Sequence, residues 1–292
     1  MLKSYYKSDS HDFNLLHGDC QELLPQFDFK FDMIFADPPY FLSNGGISVQ
    51  NGQQVCVDKG DWDKGGTPEY IDRFNREWLA ACRDKLTDSG TIWVSGTFHN
   101  IFSVARQLTD LGFKILNVIT WAKTNPAPNL TCRCFTHAAE YIIWARKEQH
   151  TSHCYNYDMM RAMNDDHQMT DVWPLPSIGR WEKNFGKHPT QKPLPLLSRI
   201  ILASTQPNAW ILDPFTGSST TGIAANLFGR CFLGIDSDRS FLDLSRKRRE
   251  DLKDAVRYLE MKARVLDILG HHQEIQAVSE SAEYYGRDLP FE

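Results

Sequence analysis

The run Phe31-Asp32-Met33-Ile34-Phe35-Ala36-Asp37-Pro38-Pro39-Tyr40 passes from a strand-like apolar segment straight into two prolines. Proline has no backbone N–H and cannot extend a hydrogen-bonded ladder. The strand therefore ends at Ala36 and the chain turns outward, which leaves Asp37 at a strand's carboxyl end. In open α/β sheets, ligands gather at such ends.

Upstream, Phe13-Asn14-Leu15-Leu16 reads as a short buried strand closed by Gly18-Asp19, with one or two helical turns over 20–27 before the next strand. Downstream, residues 41–66 are rich in Gly, Asn, Gln and Asp. A loop that long inside a compact domain is usually either functional or mobile, and a lid over the site is one reading. An amphipathic helix is predicted over 70–86, then a strand over 91–95, a helix over 100–111 stopped by Gly112, and a strand over 113–121. Beyond Thr124 the rhythm breaks. One more strand is read over 139–145, whereas 150–186 is aromatic, basic and without period, as expected of an inserted recognition region. Alternation returns with a helix over 194–204, a strand over 209–212, a small-residue turn, a helix over 220–228, a strand over 231–235 and a charged helix from Ser240 into the 250s. The fold class expected is α/β, doubly wound, with a mostly parallel sheet.

The 292 residues, 41% of them hydrophobic, suffice for one large core or one core with an inserted lobe. No apolar run approaches the roughly 20 residues of a membrane span, and no export signal is read. Seven scattered cysteines, an odd number, are expected as reduced thiols in a cytoplasm. A net charge of −5 would count against a protein that neutralises phosphates. Carboxylates dominate the first 120 residues, however, while Lys and Arg collect between Lys123 and Lys192 and again in Arg246-Lys247-Arg248-Arg249, so local basic faces are available.

Asp37 to Tyr40 suits one demanding chemistry. An exocyclic amine on a purine is a poor nucleophile because its lone pair is delocalised into the ring. A carboxylate and a backbone carbonyl, both acceptors only, can take the two amino hydrogens and turn the lone pair out of the ring plane. Asp37 supplies the carboxylate, the Pro38 carbonyl the second acceptor, and Pro38 and Pro39 hold the geometry stiffly. Tyr40 offers an aromatic plane for a base extruded from the duplex.

A second constellation lies near the other end. The strand over 209–212 leads into Asp213-Pro214-Phe215-Thr216-Gly217-Ser218-Ser219-Thr220-Thr221-Gly222 and a helix, so backbone N–H groups can approach a ligand carboxylate closely. The next strand ends in Gly234-Ile235-Asp236, whose carboxylate can accept from ribose hydroxyls. That acid suits any adenosine cofactor, but the turn does not match G-x-G-x-x-G.

Asp37-Pro38-Pro39-Tyr40, then Lys187-His188-Pro189-Thr190-Gln191-Lys192-Pro193, then Asp213-Pro214-Phe215-Thr216-Gly217-Ser218, in that order, resembles the beta-class amino methyltransferases of DNA, whose catalytic half precedes the cofactor half. The likeness spans about 14–249. Within the family it is most similar to the DpnA-type adenine methyltransferases of restriction systems that recognise GATC, through 36–47, Lys59-Gly60-Asp61-Trp62-Asp63-Lys64, 120–130 and 187–193. The resemblance implies a circularly permuted, seven-stranded Rossmann-like methyltransferase sheet with an inserted target-recognition region. It implies a catalytic half over 1–149, recognition over 150–186, a cofactor half over 187–250 and a helical extension over 251–292.

The cofactor implied is S-adenosylmethionine and the product N6-methyladenine. Asp37, Pro38, Pro39 and Tyr40 would form the catalytic loop; Asp213, Phe215, Gly217, Ser218, Thr220 and Thr221 the cofactor turn. Asp236 would bind ribose, Asp19 would meet the adenine amino group, and Thr190, Gln191 and Lys192 would lie beside the methionine end, with Lys192 facing its carboxylate. Double-stranded DNA is the partner implied, with single-stranded DNA and a homodimer as open alternatives, no membrane and no metal, acting on the nucleoid of a bacterial cell. Ser219 departs from the family, whose turn often has a second glycine there; if the position needs φ above zero, serine is strained. Serine in place of Asp37 would be commoner among cytosine-N4 enzymes, which stand as the alternative.

A zinc site from Cys132, Cys134 and His137, or from His150, His153 and Cys154, is set aside, since no C-x-x-C pair is present and the chemistry needs no metal. Tyr155, Tyr157, Trp173 and Trp181 either stack on bases or pack internally. Arg246 to Arg249 reads as the exposed face of a helix. An RNA or protein-glutamine methyltransferase would generally carry the cofactor turn before the catalytic tetrapeptide, opposite to this order. A nucleic-acid-binding module without turnover would not need Asp37 and Tyr40 intact.

Overall fold

The computed structural model describes residues 2–41, 47–50, 53–56, 66–129, 132–186 and 188–271. Most of the expected lid, and the whole of the stretch 59–64, lie outside the described residues. In chain order the strands are β1 (Tyr6–Lys7), β2 (Phe13–His17), β3 (Phe31–Ala36), β4 (Ile47–Gln50), β5 (Gln53–Cys56), β6 (Leu86–Gly96), β7 (Lys114–Lys123), β8 (Ala139–Arg146), β9 (Val172–Leu175), β10 (Trp210–Asp213) and β11 (Cys231–Asp236). The helices are α1 (Cys20–Leu23), α2 (Pro68–Lys85), α3 (Ile101–Asp110), α4 (Tyr157–Ala162), α5 (Leu194–Ser204), α6 (Thr220–Leu227), α7 (Arg239–Asp251) and α8 (Ala255–Leu269).

Two compact units interleave along the chain. The first takes Met1–Asp19, His153–Thr170 and Ile178–Glu292; the second takes Cys20–Ser152 and Asp171–Ser177.

In the first unit the strand order is β1-β2-β11-β10, with β2, β11 and β10 mutually parallel and β1 antiparallel at the edge. Phe13, Leu15, Phe232, Ile211 and Leu212 are fully buried, as strands covered on both faces require. Helix α6 lies so close to them that a Cβ on Gly222 would stand 2.5 Å from the Phe232 ring and 2.6 Å from Phe13. Every residue of α5 is buried, including Arg199, whose guanidinium burial brings down to a pKa of about 10.

In the second unit the order is β3-β6-β8-β7-β9, and β4 pairs with β5 as a separate hairpin. Strands β3 and β6 run parallel with Ala36 opposite Val94, whereas β8 is antiparallel to both β6 and β7. Its core stacks Trp93 on Trp144 with ring centroids 4.7 Å apart and planes 10° apart.

The expected strands and helices form, and β1, β4, β5 and β9 exceed the seven strands expected, β4 and β5 within the stretch read as a loop. Strand β9 belongs to the stretch read as irregular. It adds to β7 in parallel, and Trp173 on it is buried 6.1 Å from Trp93, so this tryptophan packs internally and stacks on no base. Trp181 lies under the Arg264 guanidinium at 5.0 Å.

The basic run at the end of α7 corrects its reading as an exposed face. Arg246 and Lys247 are exposed, but Arg248 and Arg249 are buried, and Arg249 pairs with Asp12 at 3.0 Å. Part of the basic charge in the middle of the chain is likewise internal wiring. Lys123 pairs with Glu140 at 2.5 Å, and Lys147 donates to the Leu86 carbonyl at 3.1 Å. Among the described residues no helix is long and apolar enough to cross a membrane.

Candidate active site

In the second unit, Asp37 follows β3 at its carboxyl end, half-buried, with Pro38 buried behind it. The Tyr40 hydroxyl donates to Asp37 Oδ1 at 2.5 Å and lies 3.2 Å from Ser95 Oγ. Ser95 is fully buried near the carboxyl end of β6, the neighbour of β3, and the Tyr40 side chain is only 6% exposed. The next residue, Phe41, takes a left-handed φ of 57° and sets its ring edge-on against Tyr70 and Phe74. Two prolines and a packed aromatic thus hold the acid where the ladder stops.

In the first unit, β10, β11 and β2 end side by side. Asp213 stands opposite Gly234, Asp236 opposite His17, and the Gly18 N–H donates to the Asp236 carbonyl at 3.0 Å. Asp19, exposed, follows directly. Three of the predicted acids therefore share one rim, which is the consequence of three parallel strands with their ligand-facing ends aligned.

The turn after β10 is closed by its own side chains. Asp213 accepts from the Phe215 N–H at 3.1 Å and from Thr221 Oγ1 at 2.6 Å, spanning the turn from strand to helix. Gly217 has φ 49°, and a Cβ there would meet the His188 ring at 2.7 Å, so only glycine suits both the dihedral and the contact. Its N–H donates to Asp236 Oδ2 at 2.7 Å, while Asp236 Oδ1 accepts from the Asp238 N–H at 2.9 Å. Burial pushes the Asp236 carboxyl above the usual carboxylate range, against the pull of these two donors. With about two acceptor sites per carboxylate oxygen, Asp236 keeps capacity for hydroxyl donors.

Ser219, at the start of α6, adopts φ 53° and ψ 41°, the left-handed conformation anticipated from the missing glycine. It is fully buried, and its hydroxyl lies 2.9 Å from Thr216 Oγ1. Ser219→Ala keeps the strain and loses that hydrogen bond; Ser219→Gly loses the bond and relieves the strain. Denaturant unfolding is expected to find the glycine variant more stable than the alanine variant by about 1 kcal/mol. The reverse order would mean that the dihedral is not imposed by the turn.

Thr190 and Gln191 are half-buried and Lys192 is buried, just before α5. The Gln191 amide donates to the Glu182 carbonyl at 3.2 Å, and the Glu182 carboxylate caps α5 by accepting from the Leu194 N–H at 2.6 Å. Burial raises the Glu182 pKa, opposed by two backbone donors and by the Arg248 charge. Arg248 donates to the Ser218 carbonyl at 2.6 Å and to Thr220 Oγ1 at 2.9 Å, and its burial lowers its pKa to about 10. Sequence reasoning missed Glu182, His188 and Arg248 as supports of this turn; the i to i+3 and i+4 spacing of Leu244, Ser245 and Arg248 along α7 was the available signal.

Buried acid, close-approach glycine, half-exposed Phe215 ring and buried lysine together fit an adenosine cofactor that carries a carboxylate.

Comparison with known proteins agrees with that geometry. Residues 31–247 match the family described as DNA methylase (N6_N4_Mtase). Type II methyltransferase M2.MboI of Moraxella bovis is 52% identical over 257 residues, covering 88% of this chain and 94% of the relative. Type II methyltransferase M2.DpnII of Streptococcus pneumoniae is 54% identical over 252 residues, covering 86% and 93%. Among solved structures, the M1.HpyAVI–SAM complex superposes with a TM-score of 0.63 at 28% identity, covering 81% of this chain and 98% of that one. The PvuII cytosine-N4-specific DNA methyltransferase shares the fold, with a TM-score of 0.68 at 18% identity over 92% and 94%. With its acid, its cofactor turn and most of its length inside these matches, the chain belongs to the DNA methylase family, which uses S-adenosylmethionine as methyl donor.

Proposed function

We propose that the protein methylates the N6 amino group of adenine in DNA, within GATC, as the modification arm of a restriction system. The observation that carries this reading is the acid at the end of β3, held by Tyr40 beside two prolines. Asp37 and the Pro38 carbonyl accept the two amino hydrogens, which localises the nitrogen lone pair. Tyr40 lends the aromatic plane beside the extruded base. S-adenosylmethionine, when bound, supplies an electrophilic methyl group on a sulfonium. Asp236 holds its ribose, Asp19 its adenine amino group, Lys192 its carboxylate, with Thr190 and Gln191 beside it. Phe215, Gly217 and Ser218 line the turn that Asp213, Thr220 and Thr221 keep in shape.

Catalysis falls to 1–149, which also lends Asp19 to the cofactor, cofactor binding otherwise falls to 187–250, and 251–292 extends the fold. Target recognition falls to exposed members of 150–186, such as Tyr155 and Tyr157. Asp37 in place of serine and the GATC-system resemblance favour adenine over cytosine. The enzyme acts on the nucleoid in the bacterial cytoplasm; measuring its mass in solution tests the homodimer alternative.

The test is transfer of labelled methyl to GATC duplex, the same single strand and an RNA of matching sequence, side by side. Label in DNA, lost when the adenine of GATC is replaced, is the expected result. Label in RNA alone, or in DNA without dependence on that adenine, refutes the reading.

A further inference from the structure

Tyr40 touches more than the acid beside it. Its single hydroxyl proton is given to Asp37 Oδ1 at 2.5 Å, so toward Ser95 Oγ, at 3.2 Å, the same oxygen can only accept. The donor there is Ser95, and the three groups form a directed chain from Ser95 hydroxyl to Tyr40 hydroxyl to Asp37 carboxylate. Both hydroxyl-bearing side chains are buried, Ser95 fully and Tyr40 to within 6%. In such surroundings water competes poorly for these donors, and successive hydrogen bonds polarise one another.

Ser95 owes its place to the sheet. It follows Val94, which stands opposite Ala36 across the parallel pair β3 and β6, so the serine is level with the residue that follows Ala36 in sequence, Asp37. The opposite edge of β6 fixes it as well, since Ser95 pairs with Ile142 of β8, one pair short of the end of that ladder. The sheet's register and the two hydrogen bonds thus tie strand, buried hydroxyl and acid together.

We propose that Ser95 is a positioning residue for methyl transfer: through the Tyr40 hydroxyl it fixes the rotation of the Asp37 carboxylate. The proposal rests on the reading of Asp37 as the acceptor for the amino hydrogens. A carboxylate free to rotate would present its lone pairs to the amine only part of the time; one oxygen tied to Tyr40 keeps the remaining acceptor directions constant. The hydroxyl of Tyr40 therefore has work separate from that of its ring. The step itself is unchanged: the nitrogen–methyl bond forms, the sulfonium–methyl bond breaks with its electron pair staying on sulfur, and the surplus amino proton leaves by way of the acceptor pair.

The test is a double-mutant cycle in steady-state methylation of GATC duplex, with Tyr40→Phe, Ser95→Ala, the double variant and Asp37→Ala. Tyr40→Phe keeps the ring, and is expected to lower kcat about tenfold, as for a lost hydrogen bond to a charged group, with KM for DNA and for S-adenosylmethionine unchanged. Ser95→Ala is expected to lower kcat about fivefold, again without change in either KM. In the double variant the second change should cost nothing further, because the chain is already cut at Tyr40. A serine that only supports packing would not lose its effect when the tyrosine hydroxyl is absent. Multiplicative losses in the double variant, or a Ser95→Ala enzyme with full kcat, overturn the proposal. Asp37→Ala separates the two levels: if it retains turnover, the assignment of the acid itself fails, whatever the cycle shows.

Discussion

Asp37→Ala is expected to lower methyl transfer about a thousandfold or more, while the affinity for S-adenosylmethionine stays within a few-fold of wild type. The variant removes the only side-chain acceptor that the mechanism assigns to the amine and leaves the Pro38 carbonyl alone, which cannot localise the lone pair. Asp37→Asn should do nearly as badly, since its amide retains one acceptor oxygen and turns a donor toward hydrogens that need acceptors. The fold tolerates the change: Tyr40 loses one partner but stays within reach of Ser95, a cost of about 1 kcal/mol. Calorimetry for the cofactor and a single-turnover assay for transfer separate the two outcomes. Cofactor affinity falling together with transfer would mean that the acid is structural.

Asp236→Ala should show the opposite order, with cofactor affinity lost first. Its two oxygens are tied to the N–H groups of Gly217 and Asp238, so the alanine variant loses both the ribose acceptor and the clamp on the turn. Losing hydrogen bonds to a charged group at this position is expected to raise the Kd for S-adenosylmethionine about 10- to 100-fold. The pH dependence gives an independent reading. Ribose hydroxyls bind the ionised carboxylate, and burial raises the carboxyl's pKa in the free protein. Affinity should therefore fall as pH drops through that raised value, earlier than an ordinary aspartate would dictate. Asp236→Asn should bind weakly with a flatter profile. An unchanged Kd in the alanine variant would refute the ribose assignment.

Legibility followed chemistry unevenly. Strand β3 was readable to the residue because two prolines mark its end, and α5 because proline starts it and a largely apolar run, broken by Ser198 and Arg199, fills it. Ser219 was readable through an absence, a serine where the turn asks for glycine, and its φ of 53° is the strain that absence implies. Strand β9 was not. Its four residues, with a proline among them, have too few alternations to stand out, and the strand exists because β7 offers an edge. Arg248 looked like surface in a run of four basic residues. Helix α7 turns each successive residue by about 100 degrees, so a run of like charges must send some members inward, and which ones is decided by the carbonyls and hydroxyls waiting there. The interleaving of the two units was hidden for a similar reason: β2 pairs with β11 across more than two hundred residues of sequence, which no local pattern records.

The most direct test is the identity of the modified nucleoside. Duplex DNA containing GATC, incubated with the protein and labelled S-adenosylmethionine and then digested to nucleosides, is predicted to carry its label in N6-methyldeoxyadenosine. Label in N4-methyldeoxycytidine, or unmodified DNA from a protein that binds the cofactor, would contradict the account.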